Sequence, residues 1–177
     1  MATREIRQVG DEVLLKKCKP VKYMTPRIET LIEDMFDTMY ESQGVGLAAP
    51  QVGVLKRITV IDVGEEPLVF INPEIIASEG EQTGDEGCLS LPGKYGIVTR
   101  PEKVKVRALD FNMEEFEIEG EGLLARALCH EIDHLNGEMY MDLAIDGIRD
   151  VPPPSEDDGE QEDEHGASSE HHASEDM

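Results

Sequence analysis

Between residues 26 and 42 apolar side chains recur with helical period. Ile28, Leu31, Ile32, Met35, Phe36, Met39 and Tyr40 fall at i, i+3, i+4, i+7, i+8, i+11 and i+12, and so share one stripe. Thr25 is a capping residue and Pro26 fits the first helical position, so a helix is predicted from there until "SQGVG" ends it. The pattern then changes. "RITVIDV" (57–63) and "LVFINP" (68–73) are β-branched runs separated by "GEEP", and "EIIASEGEQ" (74–82) reads as a further strand. "KVKVRALDF" (103–111) alternates and pairs with "EEFEIEG" (114–120) as a hairpin around Asn112 and Met113. In "EGLLARALCHEIDHLNG" (121–137) the helical period returns through Leu123, Leu124, Ala127, Leu128 and Leu135, with Gly137 as a stop. Helices flanking a run of short strands predict an α+β fold of mostly antiparallel sheet packed around this last helix.

The periodicity stops near residue 150. Residues 150–177 hold eleven acidic side chains, no Lys or Arg, and almost nothing apolar. Such a segment cannot bury enough surface to offset the entropy of ordering. The expected organisation is therefore one folded domain over 1–149 and a disordered acidic tail over 150–177. The 177-residue chain has 16 Lys+Arg against 39 Asp+Glu, a formal charge of −23. That balance argues against binding nucleic acid or an anionic membrane through a basic surface. The N-terminus has no apolar signal-like core and no run is long enough to span a bilayer, which points to the cytoplasm. Three cysteines, Cys18, Cys88 and Cys129, at irregular spacing do not read as a disulfide framework.

The candidate chemistry sits on the last helix. In "HEIDH" (130–134), His130 and His134 lie four apart, about 40° apart around the helix axis, and can reach one ion. Glu131 is rotated by about 100° from His130, placed as a general base toward a metal-bound water rather than as a ligand. A catalytic divalent site wants a third protein ligand and an open position. Cys129 points away from the face the histidines share and reads as a small buried hydrophobe, and Cys18 reads as incidental. Cys88, in "DEGCLSLPG" (85–93), is either the third ligand or a buried structural cysteine. Gly87 before it permits close backbone approach, and Pro92-Gly93 predicts a turn beyond. "GVGLAAPQVG" (44–53) exposes backbone through its small residues. Gln51 is its one side chain with both donor and acceptor. Glu86 and Arg100 are a candidate ion pair holding the Cys88 loop, against the alternative of two independent surface charges.

"GVGLAAPQ" (44–51), "EGCLS" (86–90) and "HEIDH" (130–134), in this order, resemble the three motifs of the peptide deformylase family, over about residues 3–145. The resemblance implies a hydrolase that removes the N-formyl group from the initiator methionine of new polypeptides and releases formate. It implies one divalent ion on Cys88, His130 and His134, natively Fe²⁺, with Zn²⁺, Ni²⁺ or Co²⁺ able to replace it. Glu131 would be the base, and the Gln51 side chain and Leu89 N–H the oxyanion donors. The methionine would enter an apolar pocket at Val45, Leu123 and Ala127, its backbone pairing with Val45, Gly46 and Gly87. Two features depart from the family pattern: Cys129 stands where glutamine is common, and the acidic tail would be repelled by ribosomal RNA. The rival readings are a metallopeptidase and a non-catalytic metal-binding protein on the same scaffold.

Overall fold

The computed structural model describes residues 2–152, so the acidic segment expected to be disordered lies outside the described residues from position 153 on. Helix α1 (Pro26–Glu41) starts as the pattern predicts. Thr25 Oγ1 accepts the Ile28 N–H at 3.2 Å and Pro26 occupies the first turn. Eight strands follow: β1 (Gly46–Ala48), β2 (Ile58–Ile61), β3 (Leu68–Glu79), β4 (Gln82–Cys88), β5 (Leu91–Arg100), β6 (Lys103–Leu109), β7 (Glu115–Glu121) and β8 (Ile145–Asp150). They form a five-stranded sheet, β1-β2-β3-β6-β7, and a three-stranded sheet, β4-β5-β8, with every strand pair antiparallel. Helix α2 (Leu123–Leu135) follows β7 directly.

Strand β2 is buried throughout because both of its faces are covered. Ile58 and Val60 pack into the core under α1 with Met35 and Met39, whereas Ile61 joins Phe70, Val104, Val106, Leu128 and Ile132 in the core under α2. Successive strand side chains point to opposite faces, so a continuous apolar run is what a sheet between two cores needs. From Ala125 to Leu135 every residue of α2 except Asp133 is buried. Gly120 on β7 permits this approach, since a Cβ there would stand 2.9 Å from Leu124 Cγ and 3.0 Å from Leu128 Cδ1.

The structure corrects four sequence expectations. Residues 68–73 and 74–82 are not two strands. They join in β3, whose register shifts between Ile71 and Glu74, so Pro73 sits at a bulge where its missing N–H is tolerated. The turn expected at Pro92-Gly93 falls earlier, at Leu89 and Ser90, because Cys88 pairs with Leu91 and the Pro-Gly dipeptide lies inside β5. The last helix begins at Leu123, not Glu121, because Glu121 still pairs with Lys103 and Gly122 turns the chain at φ +57°. Finally, β8 carries the ordered chain past the expected boundary at 149. Asp150 pairs with Lys94, and the Val151 N–H donates to the Gly93 carbonyl at 3.0 Å. Polar β8, pattern "IDGIRD", gave no alternation to detect.

Candidate metal centre

Three distant segments meet at one end of α2. His130 and His134 are brought onto one face by the helical period. The end of β4 delivers Cys88, and a short helical turn over Ala49–Val52 delivers Gln51. One ligand atom from each of Cys88, His130 and His134 lies within 4.8 Å of the others. Cys88 Sγ is 3.3 Å from His134 Nε2, which is 3.1 Å from His130 Nε2. The rings meet edge to face at 76°. Two imidazole nitrogens and a sulfur converging in this way form the donor set that Zn²⁺ or Fe²⁺ takes, with room for a further ligand from the cleft. Among the described residues, this is the group of His, Cys, Asp and Glu side chains whose geometry suits a metal ion.

Cys88 is the thiol brought to this point. Cys129 is buried in the core under α2 and Cys18 packs against Ala48 and Leu135. Burial pushes both of their thiols up to about 11, so each remains protonated at neutral pH.

The orientation of His130 is fixed from behind. Glu86 Oε2 lies 2.8 Å from His130 Nδ1, which turns Nε2 toward the cleft. Arg100 grips Glu86 through two hydrogen bonds, of 3.0 and 2.7 Å, and reaches Asp133 at 2.6 Å. Arg126 adds a 3.0 Å bond to Glu86 and a second to the Val98 carbonyl. Burial works against the charge on Glu86, but the bonds from His130 and Arg100 outweigh it and hold the carboxyl down at about 2. The Glu86–Arg100 pair read from the sequence is therefore present, and it does more than tie a loop. It links the ligand-bearing strand, the ligand-bearing helix and β5. Replacing Arg100 by alanine removes the guanidinium that neutralises buried Glu86, leaving its oxygens only Arg126 and His130, and should cost about 3 kcal/mol. Melting should fall by roughly 6–12 °C, with reduced metal content. Unchanged melting and metal content would refute this role.

Glu131 occupies the narrow space between α2 and β1. An added Cβ at Gly46 would stand 2.7 Å from Glu131 Oε1, so glycine there is a steric requirement. Oε1 is 4.0 Å from His130 Nε2, while Oε2 is buried with no hydrogen-bond partner among the described residues. Burial raises this carboxyl to about 7. Gln51 is 1% exposed; its Oε1 accepts the Ala48 N–H at 2.9 Å, and its Nε2 donates to Ser90 Oγ at 3.1 Å and faces Cys88 Sγ at 3.4 Å. Leu89 immediately follows Cys88, its side chain lying against Gly44.

A cleft of about 430 Å³ opens over these groups. Val45, Gly46, Gly87, Leu89, Leu123 and Ala127 line it, so every substrate-binding residue expected from the sequence reaches it. Leu123 and Val45 stay exposed at its mouth. Sequence reasoning assigned no role to Ser90, Arg126, Asp133 or Tyr140, whose ring centroid is 5.8 Å from that of His130. Ser90 and Asp133 lay inside quoted motifs. The others carry no local signal, because their partners are distant in sequence.

The sequence matches the profile of the family described as Polypeptide deformylase over residues 3–148. It is 61% identical to the peptide deformylase of Lachnoclostridium phytofermentans over 163 residues, covering 90% of this chain and all of the relative. It is 64% identical to that of Agathobacter rectalis over 151 residues, covering 85% of this chain and 96% of the relative. Among solved structures, a peptide deformylase from Legionella pneumophila superposes with a TM-score of 0.79 at 53% identity, over 81% of this chain and 86% of that one. One from Synechococcus elongatus, in complex with actinonin, gives 0.78 at 42%, over 80% and 79%.

Proposed function

The chain belongs to the polypeptide deformylase family, and from that membership we propose that Cys88, His130 and His134 hold its catalytic metal and Glu131 moves the proton. The activity is hydrolysis of the N-formyl group on the initiator methionine of new polypeptides, yielding formate and a free amino terminus. The observation that carries the residue assignment is the convergence of one sulfur and two imidazole nitrogens at the floor of a cleft, beside the buried Glu131 carboxylate, whose Oε2 has no hydrogen-bond partner among the described residues.

The ion supplies Lewis acidity, which makes a formyl carbonyl a better electrophile and water a better acid. The chain supplies the rest. Glu131 takes a proton from the attacking water and returns it to the leaving nitrogen. The Gln51 amide and the Leu89 N–H donate to the oxyanion, where losing one such donor costs about 10²–10³ in rate. Leu123, Ala127 and Val45 receive the methionine side chain. The backbone at Val45, Gly46 and Gly87 pairs with the extended substrate. Gly46 leaves no room for a side chain beside Glu131, which fits a tight site for an acyl carbon that bears only hydrogen.

The mixed sulfur and nitrogen set fits Fe²⁺ as the native ion, with Zn²⁺, Ni²⁺ or Co²⁺ as substitutes. Among the described residues no helix is long and apolar enough to cross a membrane. A cytoplasmic site of action on nascent chains fits the substrate. Docking on ribosomal RNA does not fit a chain of charge −23. Protein purified without air should release formate from formyl-Met-Ala and leave Met-Ala-Ser intact, with iron as the bound metal. No formate, even after Ni²⁺ is added, would overturn the assignment; cleavage of Met-Ala-Ser would favour a peptidase.

A further inference from the structure

Tyr140 stands behind the metal centre, in the short helical turn Tyr140–Leu143 that follows α2, and is 1% exposed. Its ring lies beside that of His130, with centroids 5.8 Å apart and planes inclined at 37°. The same ring meets β5, where its Cε2 is 3.4 Å from the position a Cβ on Gly96 would take. Gly96 pairs with Glu86 on β4, and Cys88 ends that strand two residues further on. The ring is thus held between the helix that carries two candidate ligands and the strands that deliver the third.

The Tyr140 hydroxyl is buried with no hydrogen-bond partner among the described residues. Such a group costs about 1–3 kcal/mol when left unpaired, and phenylalanine would fill the same space without that cost. Burial, and then the charges of Cys88 and Glu86, push the hydroxyl up to about 12, so it keeps its proton at neutral pH and is a donor. Two anionic acceptors therefore act on it, and one is already filled. Glu86 Oε1 takes bonds from Arg100 and Arg126, and Oε2 from Arg100 and His130, which occupies the lone pairs of a carboxylate. Cys88 Sγ faces only the Gln51 amide at 3.4 Å and His134 Nε2 at 3.3 Å, and that nitrogen turns to the ion when one is held. A thiolate that binds an ion and faces Gln51 still has an acceptor position open.

We propose that Tyr140 is a positioning residue of the metal centre, its hydroxyl donating to the Cys88 thiolate, directly or through one water, when a divalent ion is held. The inference rests on the assignment of Cys88, His130 and His134 as ligands and adds the residue that sets the donor strength of the sulfur. A hydrogen bond to a ligand sulfur steadies its negative charge and withdraws electron density from it, which is how thiolate centres are tuned. Partners of this kind, one step behind the ligands, typically contribute about 10–100-fold to metal affinity.

The test is Tyr140→Phe in the full-length protein loaded with Co²⁺, whose sulfur-to-metal charge-transfer band reports on the thiolate. The variant keeps the ring and loses only the hydroxyl. Its band should move to longer wavelength, because the sulfur becomes more electron-rich. Its Co²⁺ affinity, measured by competition with a chelator, should fall about 10-fold. Melting of the metal-free variant should not fall, since a buried polar group without a partner has been removed. A band and an affinity that match those of the native protein overturn the proposal and leave the hydroxyl as tolerated packing. An affinity loss with an unmoved band, accompanied by lower metal-free melting, also overturns it, because that pattern belongs to a purely structural residue. Native protein that binds Co²⁺ without any sulfur band would instead remove Cys88 as a ligand, and the proposal with it.

Discussion

Changing Glu131 to glutamine should lower kcat for formyl-Met-Ala by at least about 10³-fold, equivalent to roughly 4 kcal/mol of transition-state stabilisation, while bound metal stays stoichiometric. The substitution keeps the volume of a side chain that is 4% exposed and closed in by Gly46. It removes only the ability to accept and return a proton. No ligand atom is lost, because the converging group is Cys88, His130 and His134. Burial works against the charged form of Glu131, so the neutral amide carries no folding penalty and melting should not fall. Formate release and metal analysis on the same preparation decide the matter. A variant that keeps most of its rate would leave Glu131 as packing. One that loses its metal would make it a ligand. The two outcomes are distinguishable because KM should change little when only proton transfer is removed.

The sequence exposed most of this site because its residues sit in three short runs whose chemistry is local. The spacing of His130 and His134 is a property of one helix, and Gly46 and Gly87 announce close backbone approach within their own loops. The clearest helix, α1, was legible to within a residue because its stripe and its cap agree. What stayed hidden depends on partners far along the chain. Glu86 reaches across 44 residues to His130, and Arg126 reaches 40 residues back to Glu86. Neither has periodicity of its own. Strands β4, β5 and β8 were missed for a related reason. They are largely polar or interrupted by Pro92-Gly93, and they form a sheet through pairing rather than through an apolar face. The charge of 150–177 was plain in composition, but the pairing of Asp150 with Lys94 was not, since β8 has no apolar alternation.

Replacing Cys88 by alanine should abolish measurable deformylation and strip the metal, whereas Cys129→Ala should leave both within about twofold. The two cysteines are both candidates on composition, and the fold separates them. Cys88 sits at the end of β4 with its sulfur 3.3 Å from His134 Nε2 and within reach of the Gln51 amide. Cys129 is 5% exposed in the core formed with Phe70, Val104 and Val106. Losing a residue that only orients a ligand typically costs about 10–100-fold in metal affinity, so losing a ligand itself should cost more. Two imidazoles alone also leave the ion without the thiolate's negative charge. The expected cost of Cys129→Ala is in stability: a small cavity in the α2 core, about 1 kcal/mol, or roughly 2–4 °C of melting temperature. Metal analysis, formate release and melting on both variants give opposite patterns. If Cys88→Ala kept its metal while Cys129→Ala lost it, the thiol ligand would have to come from the helix itself, and α2 would need to turn by more than a quarter of a revolution to present it.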